Sequence, residues 1–125
     1  MVFPKPQEKA IIYRDEKLYV VLASNPLVKG HTIVVWNKDV KDLHILDKKE
    51  YEYLMNIVDK VRDSLMSVLN VKKVYLMYMD EANHVHWHLI PRYNIKGYEL
   101  LKHKPSKLKD FSLVEKIKKN LFILQ

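Results

Sequence analysis

The stretch that decides the fold reads NHVHWHLIPRY and spans residues 83–93. Histidines stand at three alternate positions: His84, His86 and His88. Apolar residues fill the positions after each of them: Val85, Trp87 and Leu89. This period of two predicts a β-strand with the three imidazoles on one face. Because the apolar set would face a core, we expect the histidines to line an accessible face or cleft.

Three further strands are predicted upstream, over residues 11–14, 18–23 and 31–36. Each is a short run rich in β-branched and aromatic residues. The loop SNPLVKG separates the last two strands and is punctuated by Pro26 and Gly30. The first two strands, separated by three polar residues, read as a hairpin.

A long helix is predicted next, from Asp47 to about Asn70, with Glu50 completing a capping box. Its apolar residues recur at helical spacing: Leu54, Ile57, Val58, Val61, Leu65, Val68 and Leu69. A strand over 72–79 leads into the histidine strand, which begins at His86 and ends near Pro91. A last amphipathic helix is predicted after Ser112, the N-cap, with Glu115 at the capping-box position. Its apolar residues form one stripe: Leu113, Ile117, Leu121 and Phe122.

The order strand, strand, strand, helix, strand, strand, helix lacks strand–helix alternation. It predicts an α+β fold with a mostly antiparallel sheet of about five strands and helices packed against it. The length of 125 residues suits one domain over 1–125. Cysteine is absent, which excludes disulfides, thiolate metal sites and a cysteine nucleophile. No segment reads as a signal peptide or a membrane span, so we expect a soluble cytoplasmic protein without membrane contact.

The formal charge of +7 is unevenly placed along the chain. Residues 1–91 hold 13 Lys or Arg and 12 Asp or Glu, whereas residues 92–125 hold 9 and 3. The basic character therefore belongs to a C-terminal extension from about 96–125. This extension is either a solvated lysine-rich face or a surface that binds nucleotides or nucleic acid.

Three histidines on one face leave three interpretations open. Zinc would need ring nitrogens that converge at about 2.0–2.1 Å. On a straight strand His84 and His88 lie roughly 13 Å apart at Cα, so a pair plus a distant ligand is the only workable set. An exposed strand that merely carries imidazoles is the second interpretation. The third is acid–base or nucleophilic work on an anion, since a neutral imidazole can approach a phosphate that would repel a carboxylate.

The histidine stretch resembles the signature of the histidine triad (HIT) superfamily of nucleotide hydrolases and transferases. That signature is His-φ-His-φ-His-φ-φ, with φ apolar, and it stands here as HVHWHLI over residues 84–90. A second family feature is a Pro followed five residues on by Gly-His at a strand start, here Pro26, Gly30 and His31. The ending HWHLIPRY is similar to short prokaryotic members likened to diadenosine-polyphosphate hydrolases. The resemblance spans roughly residues 10–95.

The resemblance implies a role for each matching histidine. His86 would attack the α-phosphorus and form a nucleotidyl-histidine, which water hydrolyses to a nucleoside monophosphate. His88 and His31 would contact the phosphate and assist charge balance or proton transfer at the leaving group. His84 would shape the backbone beside His86 and fix the orientation of its ring. Transferase relatives commonly carry glutamine at the third position, so His88 favours hydrolysis. The candidate substrate-binding residues are Ser24, Asn25, Gly30 and Asn83.

Two positions depart from the family pattern. Ala23 replaces an Asn or Asp that holds the ribose in many members, which leaves Ser24 or Asn25 for that contact. Asp80 and Glu81 replace polar phosphate-side donors. A carboxylate beside a phosphate is unfavourable unless it points away, pairs with a lysine or binds a cation.

The expected substrate is a nucleoside polyphosphate, a dinucleoside polyphosphate or a nucleoside phosphoramidate. No cofactor is required and no protein-bound metal is expected, although a divalent cation such as Mg²⁺ can accompany the phosphates. The family implies a homodimer. The alternative function is a nucleotide or nucleic-acid binding protein that uses the basic extension and turns over slowly or not at all.

Overall fold

Five strands form one sheet in the order β1-β2-β3-β5-β4, and every neighbouring pair is antiparallel. The computed structural model describes residues 3–124, with side chains as far as Leu121. The strands are β1 (Ile11–Arg14), β2 (Leu18–Leu22), β3 (Thr32–Trp36), β4 (Val74–Met77) and β5 (His86–Pro91). The predicted α+β fold is confirmed, and the largest difference is β4, which is shorter at both ends than the predicted strand.

Three α-helices accompany the sheet: α1 (Lys48–Leu69), α2 (Gly97–Leu100) and α3 (Leu113–Leu124). One-turn 3-10 helices span Glu8–Ala10 and Leu43–Ile45. The predicted capping box begins α1, because the Glu50 amide donates to the Asp47 carboxylate at 2.8 Å and the Asp47 amide donates to the Glu50 carboxylate at 3.0 Å. The helix ends at Asn70, which adopts the left-handed conformation.

The core lies between one face of the sheet and α1. Most of the predicted stripe of α1 is buried there, from Leu54 to Leu65, whereas Val68 and Leu69 are only partly buried. The sheet residues of this core are at most 2% exposed: Leu18, Val20, Val34, Trp36 and Leu89. Helix α3 begins immediately after Ser112, as predicted, and packs on α1 and β1 through its own apolar stripe: Leu113, Ile117 and Leu121. The side chain of Phe122 lies outside the described residues. The C-terminal extension is therefore an integral part of the fold.

The opposite face of the sheet carries the histidines. The register places Tyr19, Val35 and His86 in one cross-strand row, and Val21, Ile33 and His88 in the next. Strand pairing thus sets two triad histidines beside an apolar surface contributed by β2 and β3.

Two further segments border this face. An extended N-terminal arm, residues 3–7, crosses it before the 3-10 helix at Glu8–Ala10. On the other side the basic segment, residues 102–109, runs along the loop between β2 and β3. Its Leu108 amide donates to the Ser24 carbonyl at 2.7 Å, and its Ser106 amide donates to the Pro26 carbonyl at 3.2 Å. Within the described residues, none of the helices has the length and apolar character needed to cross a bilayer.

Candidate active site

His86, at the start of β5, has one ring nitrogen committed to the backbone. Its Nδ1 lies 2.6 Å from the carbonyl oxygen of His84. A carbonyl oxygen only accepts hydrogen bonds, so Nδ1 carries the proton. In the neutral ring the lone pair is then on Nε2. This is the tautomer that a nitrogen nucleophile requires.

His84 lies in the turn before β5, and its ring is held by the backbone of β3. Its Nε2 donates to the carbonyl oxygen of Trp36 at 2.6 Å. The preceding residue, Asn83, has a φ of 54° and reverses the chain direction into the strand. The Trp36 carbonyl, His84 and His86 therefore form a chain of oriented groups that fixes both rings.

Asp80 points away from the histidine face. Its carboxylate accepts from the backbone amide of His84 at 2.8 Å and from the hydroxyl of Tyr78 at 2.7 Å. Burial and the Asp80 carboxylate both raise the pKa of Tyr78, so its hydroxyl stays protonated and keeps donating. Glu81 is exposed in the turn. Asp80, which departs from the family pattern, thus stabilises the turn and is directed away from the site.

His31 and His88 form a directed pair across β3 and β5. The Leu27 amide donates to Nδ1 of His31 at 3.1 Å, which places the His31 proton on Nε2. That nitrogen lies 2.9 Å from Nδ1 of His88 and donates to it. The His88 proton is therefore on Nε2, where it is available to a ligand. The pair ends in a single N–H donor beside His86, whose ring centroid is 5.1 Å from that of His88.

Burial makes both rings of this pair neutral at physiological pH. It lowers the pKa of His31 to about 4, with a smaller contribution from His88. It lowers the pKa of His88 to about 4 as well, with a smaller contribution from His86. At pH 7 the site consequently offers hydrogen-bond donors from these rings and no positive charge.

A cavity of about 300 Å³ opens beside His31 and His88. Its floor is the apolar surface of β2 and β3, and its rim includes Ser24 and Asn25. This volume is at the lower end of the range for small-molecule sites. Apolar walls with a few polar groups at one end suit a nucleoside whose phosphate reaches the histidines.

Two of the predicted substrate-binding residues lie elsewhere. Gly30 is buried and has a φ of 87°, and a Cβ at this position would lie 2.6 Å from the Leu69 side chain. Its role in the structure is to let the loop pass α1 and deliver His31. Asn83 is exposed in the turn before β5 and lines neither of the two cavities beside the histidines.

The N-terminal arm covers the nucleophile candidate, which the sequence did not predict. The Phe3 ring lies 4.8 Å from the His84 ring and 5.0 Å from the His86 ring, centroid to centroid. His86 is only 6% exposed as a result. The prediction that the histidines line an accessible face or cleft therefore does not hold at His86, because the Phe3 ring packs against it.

The arm also divides the space around the histidines. Residues 3–6 border the cavity beside His31 and His88, and they equally border a second cavity of about 350 Å³ beside His84 and Asp39. Within residues 3–124 no three His, Asp or Glu side chains form a cluster that could hold a metal ion.

The model of the HIT domain family matches residues 5–95, a range that includes all four histidines of the site. The chain belongs to the HIT domain family. An uncharacterized HIT-like protein of Methanocaldococcus jannaschii is 33% identical over 98 residues, which cover 70% of this chain and 71% of that protein.

Solved structures show the same HIT fold. A zinc-bound histidine triad family protein from Mycobacterium smegmatis superposes with a TM-score of 0.73 at 20% identity, covering 92% of this chain and 85% of that one. The diadenosine triphosphate hydrolase of Plasmodium falciparum superposes with a TM-score of 0.69 at 18% identity, covering 94% of this chain and 79% of that one. At these identities the similarity establishes the fold alone.

Within this HIT domain, the structure brings together most of the residues that the sequence singled out. His31, His88, Ser24 and Asn25 line one cavity, His84 lines the second, and the His86 ring lies 5.1 Å from the His88 ring, centroid to centroid. The residues missed are those of the arm, above all Phe3 and Lys5. The only local signal was the pair Pro4 and Pro6, which predicts an extended segment but not where it lies.

His44 and His103 are remote from this HIT site. The side chain of His44 is 81% exposed and pairs with Asp42. His103 is half-buried beyond α2. Trp36 packs in the core, and Trp87 packs on the Tyr78 ring at 5.1 Å.

Proposed function

We propose that the protein is a nucleotide hydrolase in which His86 attacks the α-phosphorus of a nucleoside polyphosphate or dinucleoside polyphosphate. One observation carries this proposal: the hydrogen bond from Nδ1 of His86 to the His84 carbonyl leaves Nε2 as a free base beside the donor of His88. Family membership and the fold shared with a diadenosine triphosphate hydrolase support it.

The reaction has two steps. In the first, the Nε2 lone pair of His86 forms a bond to the α-phosphorus, while the bond from phosphorus to the leaving-group oxygen breaks with its electron pair. The ring becomes positively charged because Nδ1 keeps its proton, and the His84 carbonyl oxygen that accepts this proton's hydrogen bond stabilises the charge. In the second, a water oxygen forms a bond to the same phosphorus and gives up a proton to solvent. The phosphorus–nitrogen bond breaks with its electron pair returning to Nε2, which restores the neutral ring, and a nucleoside monophosphate leaves.

His88 stabilises the negative charge that develops on the phosphoryl oxygens by donating from Nε2. His31 holds His88 in the donor tautomer, and the Leu27 amide holds His31 in turn. Because both rings are neutral near pH 7, the site favours leaving groups that depart without a proton. Phosphate leaving groups do so more readily than amines, so we expect phosphoanhydrides to react faster than phosphoramidates.

The nucleoside would occupy the apolar cavity formed by β2 and β3. With Ala23 at the position where many members bind the ribose, Ser24 and Asn25 at the rim are the polar side chains placed to contact it. Gly30 contributes by fixing the loop, and Asn83 by shaping the turn before β5.

A substrate panel tests the proposal directly. Diadenosine polyphosphates, ATP, an aminoacyl-adenylate and adenosine phosphoramidate would be incubated with the full chain, and release of AMP measured by chromatography. We expect AMP release with at least one phosphoanhydride and little with the phosphoramidate. The absence of monophosphate from every phosphoanhydride would contradict the proposal.

Metal dependence is a separate question, since Mg²⁺ can accompany the substrate phosphates and one relative is zinc-bound. We expect AMP release to persist in EDTA, although more slowly if the free phosphate chain binds less well. Activity lost in EDTA and restored by zinc alone would instead support metal-dependent chemistry.

A second candidate is nucleic-acid binding by the basic segment. The segment is anchored to the loop that forms the cavity rim. Its four lysines are exposed: Lys102, Lys104, Lys107 and Lys109. Truncation near Tyr98 would also remove α3 from the core, so replacing the four lysines by glutamine is the better test. Binding of a single-stranded oligonucleotide that is salt-sensitive and weakened in this variant would favour the candidate. Equal binding by both proteins would remove it.

A further inference from the structure

Lys5 is the only side chain with a permanent charge among the described residues that line the cavity beside His31 and His88. No Asp or Glu is among the residues of the described part of the chain that line this cavity. The two histidines are neutral at physiological pH because they are buried. An anion placed there loses solvation against the apolar floor, and hydrogen-bond donors alone replace only part of it. Lys5 is thus the one group in the lining that can compensate the charge of a phosphate.

The position of Lys5 follows from the packing of the arm. Phe3 rests on the rings of His84 and His86, which anchors the arm to the catalytic histidines. Pro4 and Pro6 flank Lys5, and their rings restrict the backbone on both sides of it. Lys5 lines both cavities beside the histidines.

Among the described residues, Lys5 forms no ion pair. Arg14 of the same N-terminal region pairs with Glu8. The side chain is exposed, so it can turn toward a ligand without breaking an existing contact.

We propose that Lys5 is a substrate-binding residue whose ammonium group binds the phosphate oxygens of a nucleotide held against the histidines. The inference rests on the proposed function for the identity of the ligand. It adds the N-terminal arm to the site, as the element that supplies the charge which the histidine cluster lacks.

The test compares the binding of adenosine and AMP by titration calorimetry, with guanosine and GMP run in parallel. Lys5→Gln should weaken AMP binding by about two- to fivefold, the range for a solvent-exposed charge contact. Adenosine affinity should be unchanged, because adenosine has no phosphate. Lys5→Arg should restore most of the AMP affinity. The difference between wild type and Lys5→Gln should shrink when salt is raised from about 0.05 M to about 0.5 M.

Lys9→Gln is the matched control. It removes the same charge from the 3-10 helix that follows the arm, but the Lys9 ammonium lies 4.5 Å from the centroid of the Phe111 ring, and Lys9 lines neither cavity. This variant should bind AMP like the wild type.

Each result bears on a separate claim. Equal AMP affinity in wild type and Lys5→Gln would overturn the proposal, as would an equal loss for adenosine, which would indicate a purely structural role. If AMP binding depends on Lys5 but the protein hydrolyses none of the substrates, the proposal for Lys5 is upheld and only the hydrolase assignment is overturned. A wild type that binds neither nucleosides nor nucleotides would overturn both.

Discussion

The polarity of a few imidazole hydrogen bonds determines what each histidine can do. The Leu27 amide sets the tautomer of His31, and His31 sets that of His88. The His84 carbonyl sets the tautomer of His86. The sequence alone could place the residues on one face of a strand, but it could not give these directions, because they come from partners up to 57 positions away along the chain.

At this scale we predict that stability depends on pH through His31 and His88. Their folded-state pKa of about 4 lies below the unfolded value of 6.5, so the unfolded chain binds protons first as pH falls. The stabilisation from neutral burial is complete above pH 6.5 and is lost as pH falls toward 4. Between pH 7 and pH 5 the free energy of unfolding should fall by about 2 kcal/mol through His31.

Urea denaturation at several pH values measures this dependence. His31→Gln should flatten the pH profile even though it lowers stability at pH 7, whereas His44→Gln, which removes an exposed imidazole, should leave the slope unchanged. A wild-type profile that is flat from pH 7 to pH 5 would argue against neutral burial of these rings.

At the scale of elements, the turn between β4 and β5 positions the triad. Asp80 joins the Tyr78 hydroxyl to the His84 amide, and the Tyr78 hydroxyl also accepts from the Leu43 amide at 3.0 Å. The segment that carries Leu43 is thereby tied to the turn. The sequence identifies Asp80 as unusual for the family, but it does not show which way the carboxylate points. That orientation depends on the hydrogen bond from the Tyr78 hydroxyl.

We expect Asp80→Ala to lower kcat by about tenfold with little change in KM, because it frees the His84 amide and loosens the support of His86. The kcat of Asp80→Asn should lie between those of the wild type and Asp80→Ala, because the asparagine amide oxygen can still accept one of the two hydrogen bonds. Glu81→Ala, at the exposed neighbouring position, is the control. Steady-state kinetics on the preferred substrate measure the effect, and an unchanged kcat in Asp80→Ala would remove the turn from the account.

The strands and long helix were predictable because each follows from local pattern. The capping box of α1 and its apolar stripe use residues within one helix, and both are confirmed. The arm over the site was not predictable, because nothing within residues 3–7 specifies which surface they cover. The docking of the basic segment on the β2–β3 loop has the same long-range origin.

For the molecule as a whole, we predict a homodimer formed at the exposed edge of β4. That strand ends the sheet, and its backbone groups on that side have no strand partner among the described residues. Leu76 on this strand is 37% exposed and Met79 just after it is 56% exposed. An apolar sheet edge of this kind favours pairing with a second copy.

Sedimentation should give twice the chain mass of 15.0 kDa. Leu76→Lys should shift the protein toward monomer, while Leu101→Lys, which charges a 55% exposed leucine outside the sheet, should not. A wild type that sediments as a monomer at high concentration would contradict the prediction.

The central claim is that His86 becomes covalently nucleotidylated, and acid-quenched mass spectrometry tests it most directly. The wild type mixed with a reactive phosphoanhydride should yield a peptide containing His86 with one added nucleoside monophosphate. His86→Asn should yield no adduct and should lose turnover by at least about 10⁴-fold. An adduct on a different residue, or full turnover by His86→Asn, would contradict the account.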